Sequence, residues 1–172
     1  MKKPSRCHKC IRKAAYKLVD KWYCKGCYCG LVEQKIRAHL RRYKIKRDSR
    51  LLVSDAASSY VVGRVVNVPV SVVRGKKQAD YLVMPWTMDD ENEEFLSMMF
   101  RNKKIVAREN KKVIKLFYPL SKKEMKQYFV IKKVPYRPAK SELNALMDAF
   151  EDKHPGTKSS LLRSEERLKR SL

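Results

Sequence analysis

Residues 79–100 read ADYLVMPWTMDDENEEFLSMMF, and this stretch is the strongest indication of the fold. Its first part, residues 79–84, is an apolar run that predicts a buried strand ending at Pro85. Thr87 then predicts the N-cap of a helix over residues 88–102, because a threonine hydroxyl accepts a hydrogen bond from an otherwise unpaired amide at a helix start. A buried strand that leads directly into a helix is the repeating unit of an α/β sheet.

The same alternation extends to both sides of this stretch. Upstream, residues 51–53 predict a short buried strand, and residues 60–73 are rich in β-branched side chains, a composition that predicts two strands interrupted at Gly63 and Pro69. Downstream, the patterns predict a strand over 113–117 and helices over 121–132, 141–152 and 158–170. We therefore expect a small α/β domain with a mostly parallel sheet and flanking helices.

Two Cys-x2-Cys pairs precede this domain, and they consist of Cys7, Cys10, Cys24 and Cys27. Pairs at this spacing present four thiolates to one tetrahedral zinc ion. We predict a structural zinc, because protein ligands fill all four positions and leave none open for catalysis. His8 lies between two ligands and could replace a cysteine, although four thiolates already suffice. Cys29 fits a small apolar residue at a helix start better than a nucleophile.

The chain is strongly basic. Its 172 residues have a formal net charge of +23, from 41 Lys and Arg against 18 Asp and Glu, and residues 1–50 alone hold 17 bases and three acids. Such a field attracts phosphate backbones, although an acidic membrane or protein surface would also satisfy it. No stretch approaches the ~20 apolar residues of a membrane span, and no apolar run follows the N-terminal charges. We therefore expect a cytoplasmic protein that binds nucleic acid and no membrane, with its cysteines reduced.

A basic helix is predicted directly after the cysteines. Val32, Ile36, Leu40 and Tyr43 fall on one face at helical spacing, and basic residues fall on the adjacent face. That basic face is either simply solvated or contacts RNA. The residues that we predict to contact RNA are Lys35, Arg37, Arg41, Arg42, Lys44, Lys46, Arg47, Lys158 and Arg163.

Three segments, in order, resemble the cytosolic tRNA 2-thiolation family of PP-loop ATP-pyrophosphatases. They are the cysteine module with its basic helix, residues 79–102, and EDKHPGTKSSLLRSEERL at 151–168, which is the most specific. The resemblance implies a truncated Rossmann-like (PP-loop/HUP-type) sheet at 46–172 behind a zinc module at 1–45. It also implies helix then strand over 60–73. The family uses ATP to adenylate the wobble uridine of certain tRNAs before sulfur is delivered.

The chain departs from the active members of this family in the loop after the first strand. There the family carries Ser-Gly-Gly-x-Asp-Ser, and its glycines let backbone amides approach pyrophosphate. Here residues 54–59 read SDAASS. Asp55 places a carboxylate where the anion would bind, and Ala56 adds a Cβ. The vestigial nucleotide loop, of which we single out Ser54, Asp55, Ser58 and Ser59, is therefore expected to bind ATP poorly or not at all.

Two functional hypotheses follow. In the first, the chain resembles a shortened form of the family's degenerate partner subunit, a non-catalytic scaffold that binds tRNA and pairs with a catalytic paralogue or with itself. In the second, it is a minimal ATP-dependent tRNA thiolation enzyme with an atypical loop, although no cysteine matches the catalytic position. Asp89, Asp90 and Glu91 could hold Mg²⁺, but three acids in a first helical turn more often interact with the helix dipole.

Overall fold

The structure is a computed structural model that describes residues 5–18, 21–67, 69–73, 75–101, 112–139 and 141–171. Its strands are β1 (Tyr16–Leu18), β2 (Lys21–Tyr23), β3 (Ser49–Val53), β4 (Val70–Val73), β5 (Tyr81–Thr87) and β6 (Val113–Phe117). Its α-helices are α1 (Lys25–Leu40), α2 (Ala56–Val65), α3 (Met88–Phe100), α4 (Lys122–Lys132), α5 (Glu142–Lys153) and α6 (Thr157–Ser171).

Four strands form a parallel sheet in the order β4-β3-β5-β6, and β1 pairs with β2 in a separate antiparallel hairpin. The predicted α/β class with a mostly parallel sheet is thus confirmed. Because β3 has β4 on one side and β5 on the other, the chain reverses its direction of travel across the sheet after β4. Open α/β sheets bind ligands at such a reversal, beyond the carboxyl ends of the two central strands.

Side-chain caps set the start of four of the helices. The Thr87 cap is confirmed, because its hydroxyl accepts from the Asp90 amide and the Asp90 carboxylate accepts from the Thr87 amide. Ser121 and Glu124 form the same reciprocal box at the start of α4. Each cap satisfies amides that would otherwise lack a partner, which is why α3 and α4 begin within a residue of their predicted starts.

The composition of residues 60–73 predicts two strands, and this prediction is wrong for the first half. α2 continues to Val65, and β4 follows, which is the order that the family resemblance implies. Val61, Val62 and Val65 are buried at a spacing that places them on one face of the helix. Burial of this face together with the Asp55 cap outweighs the small helix penalty of β-branched residues.

The predicted strand end at Pro85 is also wrong, because β5 continues to Thr87. The pairing register between β5 and β6 shifts between Met84 and Thr87. Pro85 therefore lies at an irregularity, where a missing backbone N–H interrupts no regular ladder of hydrogen bonds. As a result, Thr87 is both the last residue of the strand and the cap of α3.

A continuous apolar core joins α1 to the sheet. Val32, Ile36 and Leu40 are buried on one face of α1, as their spacing predicts, in the same cluster as residues of β3, α2, β6 and α4. The Tyr28 hydroxyl donates to the backbone oxygen of Glu124 at 2.7 Å. Side chains of α1 and of the sheet therefore lie in one apolar core, and α1 packs directly against the part of the chain that follows residue 45.

Candidate metal centre and nucleic-acid surfaces

The fold brings the two cysteine pairs together. The Sγ atoms of all four residues, Cys7, Cys10, Cys24 and Cys27, lie within 4.8 Å of one another. The Cys10 and Cys24 sulfurs are 3.6 Å apart, and those of Cys10 and Cys27 are 3.7 Å apart. Four cysteine sulfurs at these separations can share one metal ion.

Local structure on both sides of the centre explains this convergence. Cys24 is the N-cap of α1 and Cys27 lies in its first turn, so both sulfurs stand where the helix dipole favours negative charge. The first pair lies on a tight turn that closes with a hydrogen bond from the Cys7 amide to the Arg12 oxygen, 2.8 Å. The Lys9 amide points to the Cys7 sulfur at 3.4 Å. The β1–β2 hairpin connects the two halves.

The pKa values of these thiols depend on burial and on neighbouring backbone and thiol groups. Burial raises the pKa of Cys7, but hydrogen bonds from the backbones of Cys24, Lys9 and Cys10 outweigh it and bring the pKa down to about 6. Burial and the neighbouring thiols raise the pKa of Cys27 to about 12. Four thiols this close resist full ionisation unless a cation lies between them. The chemistry of the donor set therefore fits a bound metal.

His8 and Cys29 lie outside this group. The His8 amide donates to the Trp22 oxygen at 2.8 Å, and its exposed ring packs edge-on against Tyr23. Cys29 is buried within α1, and burial raises the pKa of its thiol. A buried thiol with a raised pKa is a poor nucleophile, which agrees with a packing role for Cys29.

The predicted vestigial nucleotide loop begins at the carboxyl end of β3, but its last four residues are helical and do not form a loop. Residues 56–59 form the first turn of α2, which leaves Ser54 and Asp55 as the connection. The Asp55 carboxylate accepts from the Ser58 amide at 2.8 Å, and the Ser58 side chain is fully buried. Ser59 is exposed. A helix N-terminus that could bind an anion is thus already occupied by the chain's own carboxylate.

The first two acids of α3 contact lysines instead of free solvent. Asp89 is buried, contacts the ammonium of Lys158 and accepts from the Lys122 amide at 2.6 Å. Asp90 lies 2.7 Å from the Lys122 ammonium. Ammonium groups therefore stand where a magnesium ion would bind these carboxylates.

Glu91 is neutralised in the same way. Its fully buried carboxylate lies 2.5 Å from the Lys115 ammonium and 2.9 Å from that of Lys169, and it accepts from the Trp86 indole. Burial alone would raise the pKa of Glu91, but the two ammonium groups lower it. These acids therefore form ion pairs with lysines of the chain, in addition to the interaction with the helix dipole that the sequence predicts. Sequence reasoning missed the two lysines that contact Glu91 because they come from β6 and α6.

Lys158 was predicted to contact RNA, and this is wrong. Its side chain is buried, and its ammonium contacts Asp89 and lies 2.5 Å from Asp148. The surrounding KHPGTK segment is a structural turn, in which Gly156 has a φ of +97° and the Glu151 carboxylate accepts from the amides of Gly156 and Lys158. The segment ties α5 and α6 to the start of α3.

Most of the other basic residues predicted to contact RNA are exposed. The exposed ones are Arg41, Arg42, Lys44, Lys46, Arg47 and Arg163. Lys35 and Arg37 are half-buried, and Arg37 lies 3.5 Å from Glu33. Residues 41–47 lie between the end of α1 and the start of β3. They therefore stand at the amino end of the sheet, opposite the end that carries Asp55.

Comparison with known proteins gives a likeness in fold. No family model matches the sequence, and no curated protein matches it. Among solved structures, the chain is similar to the U34-tRNA thiolase NcsA from Methanococcus maripaludis, determined with its 4Fe-4S cluster, with a TM-score of 0.70 and 14% sequence identity. The match covers 98% of this chain and 88% of that chain. The two proteins share a fold over almost their whole length.

Among the helices in the described part of the chain, none has the length and apolar character that crossing a membrane requires.

Proposed function

We propose that this protein binds tRNA and serves as a non-catalytic, zinc-containing subunit or scaffold in the 2-thiolation of wobble uridine. The observation that carries the proposal is the Asp55 carboxylate, which caps α2 in a fold similar to that of a U34-tRNA thiolase. Phosphates of ATP would bind at this helix N-terminus, next to the reversal of the sheet. A polyphosphate at this position would be repelled by the Asp55 carboxylate, which already accepts the hydrogen bond of the Ser58 amide.

The proposed RNA surface is the exposed basic segment at the amino end of the sheet, together with the adjacent side of α1. Its residues are Lys35, Arg37, Arg41, Arg42, Lys44, Lys46 and Arg47, with Arg163 on α6. Contacts of this kind neutralise phosphates and release counterions, so they supply affinity and orientation more than sequence recognition. Binding should therefore weaken steeply as salt increases.

For the cysteine centre we propose one structural zinc ion, which would hold residues 1–45 folded ahead of the sheet domain of residues 46–172. Zinc with Zn–S bonds of about 2.3 Å in a tetrahedron gives sulfur–sulfur separations of about 3.8 Å. The observed 3.6 and 3.7 Å are close to this value. A 4Fe-4S cluster assigns each cysteine its own iron, and the sulfurs around it lie further apart than those around one shared ion.

A protein of this kind depends on partners for chemistry. It would bind tRNA in the cytoplasm, and a catalytic paralogue would supply the adenylation that the Asp55 loop does not support. Residues 41–47 would orient the tRNA. At the carboxyl end of the sheet, the acids at the start of α3 are already paired with lysines of the same chain.

The first experiment is calorimetric titration of the zinc-loaded protein with ATP, in the presence and absence of total tRNA. We expect clear tRNA binding and no heat from ATP. An Asp55→Gly variant is the matched test, since it removes the carboxylate and restores a glycine at that position. Saturable micromolar ATP binding by the unmodified protein, lost in Ser59→Ala, would overturn the proposal and favour the minimal enzyme.

The metal assignment has its own test. Elemental analysis of the purified protein should find one zinc per chain and no iron. Cys24→Ser should lose the zinc and unfold the metal module, because zinc binding contributes on the order of 10 kcal/mol to the folding of such modules. Cys29→Ser is the control and should retain the metal. Four irons per chain would contradict the assignment.

A further inference from the structure

The helix α5 is apolar on two sides, and no element in the described part of the chain covers its outer side. Met147 is buried on the inner side. On the outer side, Ala145, Leu146, Ala149 and Phe150 are all exposed, and Leu146 and Phe150 retain 54% and 49% of their accessible surface. A contiguous exposed apolar stripe on a helix of a highly charged domain commonly marks an interaction surface.

The charged residues of α5 fall into two groups, those that contact other parts of the chain and those that lie at the ends of the apolar stripe. Asp148 lies 2.5 Å from Lys158, Asp152 lies 3.0 Å from Lys123, and Glu151 caps α6. The two remaining charges, Glu142 and Lys153, are exposed at opposite ends of the apolar stripe. Neither forms an ion pair with any residue in the described ranges of the chain. Eleven residues separate them, so they lie on one helix face about 16 Å apart.

We propose that the outer face of α5 packs antiparallel against the same face of a second copy of this chain, about a two-fold axis near its centre. In this arrangement Glu142 faces the partner's Lys153 at both ends of the interface. Leu146 packs on the partner's Ala149, and Phe150 packs on the partner's Ala145. A large side chain then meets a small one at each level, which lets the helices approach closely.

The self-complementary pattern selects a second copy as the occupant. A two-fold interface brings the same patch together with itself, so its charges must pair across the axis, as Glu142 and Lys153 do. A tRNA backbone is a poor alternative, because α5 carries four acids, Glu142, Asp148, Glu151 and Asp152, against one lysine. The face therefore serves an association that is separate from RNA binding.

The association should be weak and should respond to salt in a characteristic direction. One pair of 12-residue helices buries less than the ~1,600 Å² of a standard interface, so dimers should form in the upper micromolar range. Each copy has a net charge of +23, and the copies repel each other at long range. Added salt screens this repulsion, so it should strengthen dimerisation although it weakens RNA binding.

Sedimentation equilibrium of the full-length, zinc-loaded protein without RNA tests the proposal through charge exchange. Glu142→Lys and Lys153→Glu should each weaken dimerisation about tenfold, because each places like charges opposite one another at both ends. The double variant Glu142→Lys, Lys153→Glu should restore the original affinity. Leu146→Asp should abolish dimers, and Lys126→Glu, on an exposed face of α4, is the charge-matched control.

A protein that stays monomeric at submillimolar concentration in high salt would overturn this inference. So would dimers that both single variants leave unchanged, or that the double variant does not restore. The tRNA titration described above is independent of these outcomes, so failure here leaves the proposed function standing, and the reverse also holds.

Discussion

The two ends of the parallel sheet hold charge in opposite ways. At the carboxyl end, Asp89 and Glu91 are buried, and lysines from other elements neutralise them. At the amino end, Arg41, Lys44 and Lys46 are exposed, and no ion pair with a described residue holds any of them. The same residue types therefore stabilise the fold at one end and remain available to a ligand at the other.

This difference teaches how a net charge of +23 should be interpreted. Lysines such as Lys158 and Lys169 add to the formal charge, but buried carboxylates next to them neutralise their charge. Only exposed, unpaired cations contribute a field that a phosphate backbone can feel. The positive charge that a ligand would experience is therefore smaller than the formal charge, and Arg41, Lys44 and Lys46 are among its sources.

The largest effect is expected from Lys158→Met. The substitution leaves two carboxylates, Asp89 and Asp148, without their cation, and breaking a buried ion pair typically costs about 3–5 kcal/mol. The free energy of unfolding of the protein, measured by denaturant titration, should fall accordingly. Lys123→Met is the control, because its pair with Asp152 is exposed to solvent and should contribute little to stability. Equal losses in both variants would erase the distinction between buried and exposed lysines.

A pH effect of intermediate size is expected from Glu165 on α6. Burial is the main cause that raises its pKa, from 4.5 to about 7, and the nearby Glu91 adds to it. Between these pH values the folded state keeps a proton that the unfolded state releases, so the contribution of Glu165 to stability falls as pH rises. The loss should be about 1–3 kcal/mol.

Comparison with Glu165→Gln isolates this contribution. Burial and the nearby Arg42 lower the pKa of His39 to about 4, so His39 makes stability rise with pH over part of the same range. The difference in unfolding free energy between wild type and Glu165→Gln cancels the His39 term. The unfolding free energy of Glu165→Gln minus that of wild type should increase from pH 4.5 to pH 7. A value that does not change with pH would show that Glu165 is ionised in the folded protein throughout this range.

At the amino end, charge reversal should change RNA binding and leave stability nearly unchanged. Replacing Arg41, Lys44 and Lys46 together by Glu should weaken tRNA binding at least about tenfold at low salt and should flatten its salt dependence. Filter binding across a salt series measures both. The control triple reverses Lys126, Lys133 and Arg137, which are also exposed. It is closely matched, because Lys44 and Lys133 both have left-handed backbone conformations. Equal weakening by both triples would mean that only net charge matters.

The smallest effect is expected from Asp55→Ala. It removes the cap of α2 and frees the Ser58 amide, which should cost about 1 kcal/mol of stability. Thermal unfolding measures the loss, and Asp55→Asn, whose side chain can still cap the helix, should retain most of the wild-type stability. A stability gain in Asp55→Ala would show that the carboxylate is strained at the carboxyl end of the sheet, as it would be in a site built for an anion.

Features that depend on neighbours in sequence were predictable. The cysteine spacing and the Thr87 cap each involve residues a few positions apart, and the structure agrees with both. The α2 region was not predictable from composition, because burial of Val61 and Val65 overrides their strand preference. The role of Lys158 was also out of reach, since its partner Asp89 lies 69 residues away.

The hydrogen bond from Tyr28 to Glu124 has a consequence for the order of events during synthesis. Tyr28 leaves the ribosome 96 residues before its partner. At about 5–20 residues per second, this interval lasts roughly 5–20 s. During that time the four cysteines are already available to bind a metal ion, but α4, which packs against the apolar face of α1, has not yet been synthesised. Chaperones bind nascent chains that expose an apolar helix face of this kind. We therefore expect metal binding to precede release from the chaperone.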